Sequence, residues 1–215
     1  MSELSYAPAH LATHTVTTWV ETPGEGRERG PIGLGRAWID VLVRPRGFFR
    51  AGIVPGDQAP GLVFAVVVAL TFVATRFLVD PASVPAVQGG PALSAVLTLL
   101  AVGLLVAPAT LHLTAAIQTL LLMLFVSDRA GVSETVQTIA YATAPCALAG
   151  LPFPTVRAGC ALYGAALLVV GLAEVHGTSV ARAAVAAFVP AALVFGYAFG
   201  GFGAIVAVAR AWAVI

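Results

Sequence analysis

An all-α, multi-pass transmembrane helical bundle of about five spans, preceded by an N-terminal interfacial amphipathic helix, follows from three observations. From Pro60 onward the chain is almost wholly Ala, Val, Leu, Gly and Phe, and its ionised residues are Arg76, Asp80, Asp128, Arg129, Glu134, Arg157, Glu174, Arg182 and Arg210. Charge-free runs of about 18 residues or more recur between them, each long enough to cross a bilayer as a helix. The composition is 59% hydrophobic and 10% charged with a mean hydropathy of +0.95, values of a chain whose solvent is lipid. Prolines, glycines and the few charges mark the borders of the apolar runs.

A net charge of +1 leaves no extended field to attract nucleic acid or a charged substrate, so nucleic acid is not an expected partner. All eleven basic residues are Arg. Cys146 and Cys160 lie in apolar segments, where a thiol behaves as a small hydrophobe, and their spacing is not that of a metal site.

Residues 1–33 are rich in Thr, His, Pro and Gly with a mixed-charge stretch from Glu21 to Arg29, and read as a disordered cytoplasmic tail. Residues 34–54 form the interfacial amphipathic segment. At about 100° per residue, Leu34, Trp38, Val41, Leu42, Phe48 and Phe49 gather opposite Arg36, Asp40 and Arg44. Pro45 ends the first helix near Arg44 and opens a second short turn. Trp38, Arg44, Pro45, Phe48 and Phe49 are the expected interfacial anchors, with rings in the acyl boundary and Arg at the headgroups.

Residues 55–215 hold the transmembrane domain. The first span runs from about Gly61 to Val79 and stops at the turn-rich loop from Asp80 to Gly90. The second lies within Ala92–Val126, longer than one straight crossing, with Pro108 near its middle. No polar turn occurs there, which favours one bent element over two short helices. The third begins after Ser133, with Glu134 in its first turn, and ends near Leu151-Pro152. The fourth spans roughly Ala158–Val175 and the fifth Ala183–Ala209.

Six arginines, Arg27, Arg29, Arg36, Arg44, Arg46 and Arg50, precede the first span, and the loop after Asp80 has no basic residue. That asymmetry places the N-terminus in the cytoplasm of a plasma-membrane protein.

Three short motifs occur in order. Pro45-Arg46-Gly47-Phe48-Phe49 fits P-x-x-F-F, and Tyr141-Ala142-Thr143-Ala144-Pro145 fits Y-x-x-x-P. Gly171-Leu172-Ala173-Glu174-Val175-His176-Gly177-Thr178-Ser179 followed by Arg182-Ala183 fits G-L-x-x-x-H-G-x-S-x-x-R-A. Together they resemble the Yip family of Ypt/Rab-interacting membrane proteins, in its prokaryotic branch, over about residues 40–200. The resemblance implies a five-helix bundle with a cytosolic N-terminus. It also implies a role in membrane organisation, trafficking-like processes or assembly of other membrane proteins, without catalysis. The long acidic cytosolic domain of eukaryotic members is replaced here by the short tail, so Rab binding is not carried over.

Polar residues inside spans are functional candidates by default. Glu134, Gln137, Thr138, Tyr141 and Pro145 form one stripe on the third span, and Thr110, Thr114 and Gln118 another on the second. Facing each other, they make a polar seam. It reads as interhelical hydrogen bonding or, alternatively, as a permeation pathway for a small solute or proton. His112 has no carboxylate in its span to complete a relay. Glu174, His176, Gly177, Ser179 and Arg182 form a loop corner, with Ser179 the expected N-cap of the last helix. Glu174 and His176 lack the third and fourth ligands a metal needs. Gly196 and Gly200, a G-x-x-x-G pair, are expected to serve helix packing within the chain, with packing on a second copy as the alternative.

No phosphate-cradling loop, H-E-x-x-H or nucleophile elbow occurs, and no cofactor is implied. The expectation is therefore a non-catalytic scaffold or adaptor. Its partners would be membrane lipids and other membrane proteins, with homo-oligomerisation open.

Overall fold

The structure is a computed structural model and describes residues 30–87 and 89–213; most of the tail expected over residues 1–33 lies outside them. Helices α1 (Pro31–Val43) and α2 (Pro45–Ala51) lead into α3 (Ala59–Val79). Next come α4 (Pro91–Ala101) and α5 (Ala107–Phe125), then α6 (Val132–Ala142), α7 (Pro154–Val175), α8 (Val180–Ala191) and α9 (Gly201–Ala213). Proline stands in the first turn of α1, α2, α3, α4 and α7, where its missing N–H removes a donor that has no helical partner anyway.

Among the described residues four helical segments are long and apolar enough to cross a membrane: Ala59–Val79, Pro91–Phe125, Pro154–Val175 and Val180–Ala198. The second is the single bent element expected from the sequence. Pro108 lacks the N–H that would bond the Leu104 carbonyl, and its ring crowds that carbonyl. The preceding turn, Val102–Val106, widens into a π-helix, with the Ala107 N–H bonded to the Val102 carbonyl. A second π-helical turn, Ala192–Ala198, follows Pro190 in α8.

The third traverse is shorter than expected. Helix α6 has 11 residues and passes at Thr143 into a 3₁₀ turn, Ala144–Leu148. Together they reach about 26 Å, just under the ~30 Å of a bilayer's hydrocarbon. Irregular backbone at that depth is tolerated only when protein surrounds it, and Thr135 to Cys146 are all buried. Helix α6 is thus the axis of the bundle, packed by α3, α5 and α7. The fifth traverse bends at Gly200, whose φ of +71° suits glycine, and α9 packs on α7.

Helices α1 and α2 pack against this bundle, which corrects the expected anchoring. Phe48 and Phe49 are buried in the protein core, not in lipid. The half-buried Trp38 donates its indole N–H to the Ala144 carbonyl at 2.8 Å. The reason is competition: the apolar stripe of Ala37 and Val41 finds a protein wall, and the 3₁₀ turn offers a carbonyl that lipid could not satisfy. Arg44 is exposed at the break between the helices, and Pro45 starts α2.

Candidate functional site

Helix α2 carries two aromatic rings into the base of the bundle. Phe48 meets Tyr141 edge-on with centroids 4.8 Å apart, and Phe64 of α3 meets the same Tyr141 at 5.0 Å. Phe49 stands at 5.6 Å from Phe48 in a T-shaped pair. This approach requires Gly171 in α7. A Cβ there would lie 2.7 Å from Thr138 Cγ2 and 2.9 Å from the Phe49 ring. On the outer side of the same contact, Arg50 pairs with Glu174 at 2.6 Å and Arg46 with Glu174 at 3.6 Å, tying α2 to the end of α7.

The loop corner begins two residues later. His176 is buried, and its Nδ1 accepts the Ala130 N–H at 3.1 Å, while Nε2 lies 3.4 Å from the Thr135 hydroxyl. Burial pushes its pKa from the usual 6.5 down to about 4; Glu134 opposes that shift and Arg129 adds to it. The neutral ring is therefore the state that closes the corner. Gly177 turns the chain at φ +59°, and Ser179 caps α8 by accepting the Arg182 N–H at 3.3 Å. The corner brings the 126–131 loop and the end of α7 together.

The two polar stripes diverge. Gln137 clasps the linker between α2 and α3: its Nε2 donates to the Val54 carbonyl at 2.7 Å, and its Oε1 accepts the Val54 N–H at 3.2 Å. Thr138 donates to the Glu134 carbonyl of its own helix. Gln118 turns toward α8 and donates to the Ala186 carbonyl at 3.0 Å. Its other amide atom, Oε1, is buried without a partner. Thr114 is buried, and Pro145 lies in the buried 3₁₀ turn. Thr110 meets the α6 traverse only across a cavity that it shares with Ile139 and Thr143. His112 is exposed and contacts the Pro108 carbonyl of its own helix at 2.8 Å.

Other side chains that the motifs did not single out serve broken backbone. The Tyr163 hydroxyl donates to the Leu42 carbonyl at the end of α1. Arg157 Nε donates to the Ala149 carbonyl at 2.8 Å, just past the 3₁₀ turn. The signal for such sites is a proline or a helix end at membrane depth, which names the orphaned carbonyl but not its donor. The two glycines also act locally. A Cβ on Gly196 would lie 2.3 Å from the Phe202 ring, and Gly200 is the bend. Among the described residues, no three His, Cys, Asp or Glu side chains gather as a metal site requires.

The sequence model of the Yip1 domain family matches residues 39–202 of the chain. The chain belongs to the Yip1 family. No curated protein and no solved structure matches it. In this Yip1 chain the three motifs, far apart in sequence, form one nucleus. Phe48 of the first meets Tyr141 of the second edge-on, Phe49 presses on Gly171 of the third, and Arg46 and Arg50 reach Glu174. The motif residues therefore hold the amphipathic lead-in helices against the bundle.

Proposed function

We propose that this Yip1-family protein is a non-catalytic scaffold or adaptor that holds other membrane proteins, set in the cell membrane with its N-terminus in the cytoplasm. The observation that carries the reading is the segment Pro91–Phe125. It is 35 residues long, about 52 Å as a helix against the ~30 Å of a hydrocarbon core. Its outer side is bare, presenting Leu104, Leu105, Leu113, Leu120 and Leu124 outward, while Leu111, Thr114, Ala115, Gln118 and Leu122 face the bundle. A long apolar helix whose outer side is left bare by its own bundle offers that side to other spans as well as to lipid.

The arginines preceding α3, set against a loop after Asp80 with no basic residue, support the cytoplasmic N-terminus. Photo-crosslinking residues placed at Leu113 and Leu120 in native membranes test the adaptor role. A membrane protein captured reproducibly at both positions, and at near-equal amount, is the expected result. Capture of this chain alone would replace the adaptor with a homo-oligomer, and capture of lipid alone would end the proposal.

A further inference from the structure

We infer that the hydrocarbon end of a membrane-lipid acyl chain occupies the cavity between the two π-helical turns. The cavity measures about 130 Å³. Its walls come from α3 (Ala69, Phe72), the first π turn (Val102, Val106) and the second (Val194, Ala198). Both π-helical turns among the described residues thus border one void. A π turn carries an extra residue per turn and is frequent at functional positions. Here its cause is local, a proline in each helix, and its effect is shared.

Four properties fix the occupant. Thr110 and Thr143 are the two polar side chains on the wall, and the Thr143 hydroxyl already donates to the Ala140 carbonyl at 2.6 Å. Water needs two to four polar partners, so the void is dry. Its depth is central: Ala65–Val73 lies mid-way along α3 and Val102–Leu111 mid-way along Pro91–Phe125. Its mouth faces outward, because Val106 and Ala198 are exposed beside Leu104 and Leu105. At that depth a bilayer supplies hydrocarbon alone. A void of ~150 Å³ lined by Leu, Ile and Phe takes up benzene, so this one has room for several methylenes. The ligand is therefore the methyl-terminal portion of an acyl chain whose headgroup stays at the membrane surface. The inference needs the helical bundle in its bilayer and does not depend on the adaptor role.

The test uses the full chain in nanodiscs of phosphatidylcholine carrying a diazirine either near the chain terminus or near the ester. Irradiation and peptide mapping with the terminal probe are expected to mark Thr110 and Val194, and the ester-proximal probe to leave them unmarked. Ala69→Leu, which fills the void, lowers those adducts several-fold and spares adducts at the outward Leu113 and Leu120. If Ala69→Leu does not fold, the smaller Ala107→Val gives the same reading. Thr110→Val, equal in volume, retains labelling at Val194. Absence of adducts at Thr110 and Val194, equal labelling by both probes, or labelling undiminished in a folded filled variant would each overturn the inference.

Discussion

Gln118 restores the hydrogen bond that Pro190 removes. An α-helix would bond residue 190 to the carbonyl of Ala186, but proline has no N–H to offer. The Gln118 amide, reaching across from α5, donates to that carbonyl at 3.0 Å. The same exchange recurs where Trp38 serves Ala144, Tyr163 serves Leu42 and Arg157 serves Ala149. In hydrocarbon no water can do this, so each interrupted helix needs a donor from a neighbour.

Replacing Gln118 with Leu is therefore expected to destabilise the fold by about 1 kcal/mol, within the range of polar bonds in membrane bundles. The loss is tempered because the variant also removes the orphaned Oε1. In a Pro190→Ala background residue 190 regains its N–H, and the Gln118→Leu cost should nearly vanish. A double-mutant cycle by unfolding in mixed micelles measures the coupling; additive costs would contradict the pairing.

Acid should loosen the corner around His176. The folded pKa of about 4 lies below the ordinary 6.5. Between those values the unfolded chain binds a proton that the folded one refuses, so stability falls as pH drops from about 6.5 toward 4 and is complete above that window. The limit is about 3 kcal/mol. Unfolding midpoints measured across this range should fall on acidification, and His176→Asn, which keeps an acceptor but does not titrate, should flatten the dependence.

Two glycines should respond oppositely to alanine. A Cβ on Gly150 would lie 2.4 Å from the Phe72 carbonyl oxygen, a backbone atom that cannot step aside cheaply. Gly150→Ala is expected to cost about 1–3 kcal/mol. Gly159, in α7, has open space around it, and Gly159→Ala should gain up to about 1 kcal/mol of helix propensity. Thermal midpoints of the two variants decide it.

Tryptophan fluorescence distinguishes a docked α1 from one lying in lipid. With Trp19→Phe in place, single-Trp chains retaining Trp38 or Trp212 can be compared in bilayers with brominated acyl chains. Trp212 is 76% exposed and should be quenched strongly, whereas Trp38, bonded to Ala144 inside the bundle, should be quenched far less. Equal quenching would undo the docking of α1.

The sequence by itself determined the class of fold and most of its punctuation. Charge-free runs set the helices, Pro108 set the bend in Pro91–Phe125, and Ser179 set the start of α8. These are properties of a segment and its immediate solvent, so a window of residues carries them. Three spaced motifs also carried the Yip resemblance, although nothing in their spacing said that Phe48 meets Tyr141 or that Phe49 meets Gly171. Only the tertiary structure decided partners. The stripe of Leu34, Trp38 and Phe48 looks the same whether its apolar face meets lipid or protein, since both are apolar. The choice fell to protein because the 3₁₀ turn at Ala144 exposes a carbonyl that lipid cannot bond. Likewise Gln118 and Gln137 share the look of a seam, yet each turns to a different broken stretch of backbone, at Ala186 and Val54. Hydrogen-bond demand in a waterless medium is local, but the donor that meets it comes from elsewhere in the chain.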